Sequence, residues 1–409
     1  MKLKALTALL GSALIFASQA YAGPLTVVGD KYYKNGQPFH GVGVNYFNAF
    51  TRNNLNYQDG INELSRNNIP FFRMNTIGFW PNDLRTVLND SKDGLKPEVL
   101  RRLDDFMDYA KNKNVGVVMN LFFNWTGFSD LQGERMPAWG KADSATRKAM
   151  VSITTQLVKR YEGHPALWGW EFANEGSSFI DLKDTNHVYK PVSVPEGSLP
   201  PDSPDPKKPG ALLDKIVRDD YLRALAAFAE TVEKFDTHNP IFSGNNVPRY
   251  CAYNLVFGKP ASWTPDTETE FGLYLSSNEP APLKTLTMHL YIDPDPDKPE
   301  DIKLYFGKHA GSYSQVLAAA MAQSKREQRA FFLGEFGANE KGKLMTAREK
   351  FDEVTTAILD NRVRLSALWV YDFSYQDSTF NVTGANYRSY QLAKVRDMNT
   401  TMSAWVDAP

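Results

Sequence analysis

Eight short apolar runs, rich in β-branched and aromatic residues, recur along the chain with segments of helical period between them. They are FHGVGVNYF (39–47), FFRMN (71–75), VGVVMNLFF (115–123), LWGWEFANE (167–175), PIFSGNN (240–246), TLTMHLY (285–291), AFFLGEFG (330–337) and LSALWVYDF (365–373). Strands that alternate with amphipathic helices need long crossovers, and so form a parallel sheet covered by helices. Eight such units fit a closed barrel better than a doubly wound sheet, which needs no such count. The expected fold is therefore an α/β, (β/α)8 TIM barrel.

The intervening segments have the matching period. Pro97 to Lys113 places Leu100, Leu103, Phe106, Met107 and Ala110 on one face, and Ala145 to Tyr161 does so with Met150, Ile153, Leu157 and Tyr161. Val217 to Phe235, Ser314 to Gln323 and Arg348 to Leu359 read the same way. Ahead of the first unit, residues 25–39 alternate around Asn35-Gly36, which predicts an N-terminal β-hairpin plugging the bottom of the barrel. Extended loops should lie on the C-terminal face. The largest, 177–210, is too rich in proline for helix or central strand and is expected to wall a cleft rather than link domains.

Lys2 and Lys4, the apolar run Ala5–Ala17 and the small residues up to Ala22 have the three parts of a secretory signal peptide. Its apolar run is shorter than the roughly 20 residues that span a bilayer, so cleavage after Ala22 is expected rather than anchoring. The expected organisation is residues 1–22 as signal and 23–409 as one barrel domain, a monomer that works in the periplasm or medium of a bacterium, with no membrane after cleavage. Losing Lys2 and Lys4 moves the formal charge from −1 to −3, and no basic stripe argues for nucleic acid. Cys251 is the sole cysteine, so no intrachain disulfide can form and stability must come from the core.

Two of the apolar runs end in an acid, Glu175 in WGWEFANEG and Glu335 in FFLGEFG. Active sites of such barrels sit at the C-terminal ends of the strands. Two carboxyl groups on either side of a glycosidic bond, roughly 5–5.5 Å apart, can protonate the leaving oxygen and attack the anomeric carbon. A buried structural glutamate explains either alone; two at these ends point to catalysis. Asn174 can donate its amide to a sugar 2-hydroxyl, a bond that strengthens as the oxocarbenium-like transition state forms, although a turn asparagine is the competing role.

These residues, with NGQPFHGVGVNYF, Arg73 in FFRMN, His289 and Tyr291 in MHLY, and Trp369 in ALWVY, resemble clan A glycoside hydrolases, and most closely family 5, the cellulases and mannanases. The resemblance spans nearly all of residues 23–409. It implies Glu175 as acid/base and Glu335 as nucleophile of a retaining hydrolase. It further implies that Arg73 and Tyr291 bond Glu335, that Arg73 holds it ionised, that His289 reaches the sugar or Glu175, and that Trp369 floors the subsite of the attacked sugar. At the third strand MNLFFNW lacks the histidine of many cellulases, while Asn124-Trp125 is similar to a mannanase pair. Trp125 is therefore expected at the substrate. GEFG is closer to cellulases, and Gly176 stands where proline is common. The expected substrate is a β-linked polysaccharide or oligosaccharide, β-1,4-mannan or glucomannan first and β-glucan second.

No HExxH or Cys pair suggests a metal, and His40, His164, His187, His238 and His309 are scattered, so no metal or other cofactor is expected. DPDPD (293–297) lacks the glycine of a calcium loop and reads as a solvated loop. A non-catalytic polysaccharide-binding barrel is the alternative from another class; retention of both glutamates with Arg73 and Tyr291 argues against it. Transglycosylation by the same site is not separable from hydrolysis by sequence.

Overall fold

The computed structural model describes residues 23–52, 55–78, 84–182, 216–291, 312–339 and 346–406. The expected signal peptide, the Pro-rich stretch beyond residue 182, DPDPD, His187 and His309 lie outside these residues. Three short strands come first: β1 (Leu25–Val28), β2 (Lys31–Lys34) and β3 (Gln37–Pro38), antiparallel in the order β1-β2-β3. The expected hairpin is thus two successive turns. Asn35 and Gly36 both have positive φ, 52° and 73°, as a two-residue turn needs. The earlier turn, at Gly29-Asp30, joins β1 to β2.

The eight apolar runs form β4 (Gly41–Asn45), β5 (Phe71–Asn75), β6 (Gly116–Phe122), β7 (Leu167–Ala173), β8 (Ile241–Phe242), β9 (Thr285–Tyr291), β10 (Ala330–Gly337) and β11 (Leu365–Leu368). All described pairings among them are parallel, in the order β8-β7-β6-β5-β4-β11-β10-β9. The sheet is a nearly closed (β/α)8 barrel whose seam falls between β8 and β9. Gly244, at φ +73°, ends β8 early, and a Cβ there would sit 1.9 Å from the Ala173 carbonyl. Side chains close the seam. Thr285 Oγ1 donates to the Ile241 carbonyl, and Glu279 Oε1 accepts from Ser243 Oγ at 2.6 Å and from the Thr287 N–H at 3.2 Å.

Helices wrap the outside: α1 (Tyr57–Arg66), α2 (Pro97–Asn112), α3 (Trp125–Leu131), α4 (Ala145–Tyr161), α5 (Arg218–Glu233), α6 (Ala252–Val256), α7 (Glu268–Ser277), α8 (Tyr313–Glu327), α9 (Ala347–Asp360) and α10 (Ser389–Ser403). Their starts are written locally. Pro97 opens α2, where its missing N–H costs nothing, and Thr267/Glu270, Ser312/Gln315 and Thr346/Glu349 form capping boxes on α7, α8 and α9.

The strands alternate between two environments. Phe72 and Met74 of β5 and Leu286, Met288 and Leu290 of β9 pack in the large core under the helices. The opposite face changes along the barrel axis. At the bottom Phe71, Val118, Trp168, Phe242, Phe332 and Leu365 fill the interior, and Leu25 and Tyr32 of the small sheet pack onto them as a plug. Two or three residues further along the barrel strands the interior turns polar: Asn45, Arg73, Asn120, Glu171, His289 and Glu335 are all buried. Parallel register sets them side by side, Asn45 opposite Arg73, Asn120 opposite Glu171 and Glu335 opposite His289.

Candidate active site

The polar layer is organised by one guanidinium. Arg73 Nη1 donates to Glu335 Oε1 at 2.6 Å and to Asn45 Oδ1 at 2.9 Å, Nε donates to Glu171 Oε1 at 2.6 Å, and Nη2 donates to Asn174 Oδ1 at 2.9 Å and lies 2.6 Å from the same Glu171 oxygen. The fork of donors is rigid, so these acceptors are held in one geometry. Because Arg73 has no acceptor, Asn174 must turn its oxygen to it, which leaves the Asn174 amide nitrogen free to donate elsewhere.

Glu335, on the inward side of β10, is the more enclosed carboxylate. Besides Arg73, it accepts from the Tyr291 hydroxyl at Oε2, 2.6 Å away. Burial pushes its pKa up, and His289, Arg73 and the Tyr291 hydrogen bond pull it back down. The expected depression by Arg73 is present but is outweighed by desolvation. Burial likewise raises the Tyr291 hydroxyl well above its usual value, so it stays a donor.

Glu175 stands just beyond β7 with φ 51°, an uncommon backbone for a residue with a side chain, and its N–H donates to the Gly244 carbonyl at 2.7 Å. Its side chain keeps 33% of its surface exposed, against 5% for Glu335. Its described polar partner is His289, whose Nδ1 lies 3.1 Å from Oε1 of Glu175 and 3.5 Å from Oε1 of Glu335. Burial lowers the His289 pKa to about 4, so the ring is neutral above that pH. Burial also raises the pKa of Glu175, with Arg73 opposing. The ligand atoms of Glu175, His289 and Glu335 all lie within 4.8 Å of one another.

Trp369, immediately after β11, is half-buried. Its ring stacks near-parallel to Phe123 at 6.5 Å, tilts against Phe47 at 5.5 Å, and its Nε1 donates to Gln376 Oε1 at 2.8 Å. Phe123 in turn lies under the Arg73 guanidinium, 5.5 Å away. An aromatic wall thus stands beside the Arg73 guanidinium.

Glu175, Glu335, Arg73, Asn174, His289, Tyr291 and Trp369 are therefore brought to one rim of the barrel. Trp125, expected at the substrate, is placed among core aromatics. It is 7% exposed, packs on Trp139 and Tyr221, and its carbonyl accepts from Trp139 Nε1 at 3.1 Å. Asn124 caps the same helix, accepting from the Gly127 N–H at 3.0 Å. A cap followed by a core aromatic explains that pair by the start of α3. Glu171, unnoticed in the sequence, joins the site. Its signal was an acid between Trp170 and Phe172 in a strand with no exposed face, two positions below the strand end.

A (β/α)8 barrel with a closely spaced carboxylate pair, an arginine clamp and an aromatic wall at its C-terminal rim defines a glycosidase site. The chain belongs to the cellulase family, glycosyl hydrolase family 5, which matches residues 32–374; it is a glycoside hydrolase of the retaining kind, acting on β-linked polysaccharide. No curated protein sequence matches it. Among solved structures, it is similar to an endo-1,4-β-mannanase from Rhizomucor miehei, with 14% identity and TM-score 0.63 over 93% of this chain and 99% of that one. It is also similar to a β-1,4-D-mannanase from Cryptopygus antarcticus, with 16% identity and TM-score 0.56 over 92% and 94%. An endoglucanase from Pseudomonas stutzeri follows, with 15% identity and TM-score 0.52 over 91% and 97%. At these identities the likeness carries the fold. No helix among the described residues is long and apolar enough to cross a membrane.

Proposed function

We propose that this enzyme hydrolyses β-1,4-linked mannan or glucomannan by double displacement, with Glu335 as nucleophile and Glu175 as acid/base. The observation that carries the roles is the unequal surroundings of two carboxylates whose oxygens lie within 4.8 Å. Glu335 is gripped by a cation and a hydroxyl donor, which suits a group that must be ionised. Glu175 has no cation bonded to it among the described residues and opens to solvent, which suits a group that must hold and release a proton.

In the first step a Glu335 oxygen bonds to the anomeric carbon as the glycosidic C–O bond breaks, and Glu175 gives its proton to the departing oxygen. In the second, Glu175 takes a proton from water, whose oxygen displaces Glu335 from the sugar. Glu335 becomes a neutral ester between the steps, so no anion beside Glu175 opposes its ionisation when Glu175 must act as base. Asn174 offers its free amide to the 2-hydroxyl, and Trp369 stacks on the C–H face of the attacked sugar.

The mannan assignment is supported by the strand motif His289-Leu290-Tyr291, which is similar to the sixth-strand motif of many mannanases, by the absence of a histidine at the end of β6, and by the mannanases among the structural neighbours. Trp125, packed in the core, no longer supports it. The endoglucanase among the neighbours and the GEFG sequence favour a β-1,4-glucan as second reading. The composition of residues 1–22 supports export to periplasm or medium, and the protein is read as a monomer. Product release from mannan, glucomannan, carboxymethylcellulose and mixed-linkage glucan tests the substrate. Mannan or glucomannan should be cleaved fastest; efficient release from carboxymethylcellulose with none from mannan would reverse the order.

A further inference from the structure

The polar layer holds one cation and two carboxylates on it. The double displacement proposed above consumes the charge of one of them. When Glu335 becomes an ester, its hold on Arg73 weakens to that of a neutral acceptor. Arg73 is 1% exposed, and a buried guanidinium stripped of its counter-ion costs several kcal/mol. Glu171 bears on this directly. It is fully buried, it takes two of the Arg73 nitrogens at 2.6 Å on a single oxygen, and no bond to it changes in either step.

We propose that Glu171 is a positioning residue that serves as the permanent counter-ion of Arg73, so that Glu335 can be attached to and released from the sugar without stranding a buried charge. The assignment rests on Glu335 and Glu175 as the reacting pair. Two effects follow on the resting enzyme. Sharing Arg73 leaves Glu335 less stabilised as an anion, hence a stronger nucleophile. It also leaves less positive charge facing Glu175, which keeps that acid protonated to higher pH. In the intermediate the Arg73–Glu171 pair is neutral, and Glu175 works as a base of undiminished strength.

The groups facing Glu171 are Arg73 from β5, Asn120 from β6, His289 from β9, and Tyr221 from α5, whose hydroxyl is raised by burial and then by Glu279 and Glu171. His289 is neutral and Tyr221 un-ionised over the working range, so Arg73 is the charged group among these that Glu171 answers. Asn120 Nδ2 donates to the same oxygen, Oε1, and to the Ala173 carbonyl at 2.8 Å, tying the pair to β7.

Glu171→Gln keeps the shape and removes the charge. Arg73 then bears wholly on Glu335 and Glu175, so both limbs of the pH profile of kcat/KM should move to lower pH, by about half a unit or more for a full charge at this range. The Glu171→Asp variant, which keeps the charge, should hold the limbs near the wild-type positions even where kcat falls. A Glu171→Gln enzyme that loses kcat with both limbs unmoved would make Glu171 a packing residue and overturn the proposal. Should Glu171→Gln not fold, Glu171→Asp carries the test alone: with the charge kept beside Arg73 the limbs should stay near the wild-type positions, and limbs displaced to lower pH in the folded Asp variant would overturn it. Glu335→Gln, assayed alongside, separates the two layers: activity retained there would sink the assignment of the pair itself, whatever Glu171 does.

Discussion

Arg73 Nη1 lies 2.6 Å from Glu335 Oε1 in the upper interior of the barrel, and the same guanidinium reaches Asn174 Oδ1 at 2.9 Å. One side chain therefore sets the position of the Glu335 carboxylate and of the Asn174 amide. Lysine keeps the charge but presents a single ammonium, which cannot serve Glu171, Glu335, Asn45 and Asn174 together. Arg73→Lys should fold and lose on the order of 10²-fold in kcat/KM, as a misplaced reacting group does. Arg73→Ala leaves two buried carboxylates without their cation and should cost about 3–5 kcal/mol of stability. Denaturant titration and steady-state kinetics read the two effects separately, and a Lys variant of full activity would contradict the geometric account.

Trp369 is the stacking floor in this account. Trp369→Ala should lose roughly 1–3 kcal/mol of transition-state stabilisation, by the worth of an aromatic stack, with the fold retained. Gln376→Ala removes the bond that fixes the indole at Nε1 and should show a smaller loss in the same direction. Unchanged kcat/KM in folded Trp369→Ala would make it a core residue.

Trp125 should behave in the opposite way. It is buried against Trp139 and Tyr221, so Trp125→Ala should cost about 3–5 kcal/mol in stability and leave kcat/KM of the folded enzyme near wild type. A large rise in KM with unchanged stability would return Trp125 to the substrate.

Glu279 at the β8–β9 seam links the barrel to pH. Burial raises its pKa from the usual 4.5 to about 7. The folded protein then binds a proton in that window that the unfolded chain has already released, so stability falls as pH rises from about 4.5 to 7 and levels off above. The full effect is roughly 3 kcal/mol. Glu279→Gln keeps the oxygen that accepts from Ser243, Asn245 and Thr287 and cannot ionise. Its denaturation midpoint should fall less than that of the wild type between pH 5 and 8; equal falls would mean that Glu279 is ionised at little cost.

The barrel was legible because its strands repeat, each apolar toward the helices and most of them apolar again at the bottom of the interior. β5, β9 and β10 match their runs to the residue, and α4 runs from Ala145 to Tyr161 as its period predicts. The strand ends β8 and β11 were overread, since Gly244 turns the first aside and the chain leaves the sheet at Trp369. At the rim, strand-end acids stood out in apolar runs. Glu171 did not, because an interior polar layer has the same alternation as an apolar one and only the facing arginine reveals its role. Asn124-Trp125 is ambiguous for the converse reason: a helix cap and its following core aromatic look in sequence like a polar-aromatic substrate pair.

The most direct test of the account is the different failure of the two glutamates. Glu335→Ala removes the group that forms the glycosyl-enzyme, so aryl glycosides and polysaccharide alike should be nearly inert. Glu175→Ala leaves attack intact on an aryl glycoside with a good leaving group, while the second step, lacking a base, slows and traps the intermediate. Azide needs no base, so it should restore turnover of Glu175→Ala and yield a β-glycosyl azide. Rescue of Glu335→Ala with a β-product, with Glu175→Ala left dead, would exchange the roles, and an α-anomer as the first wild-type product would contradict the double displacement itself.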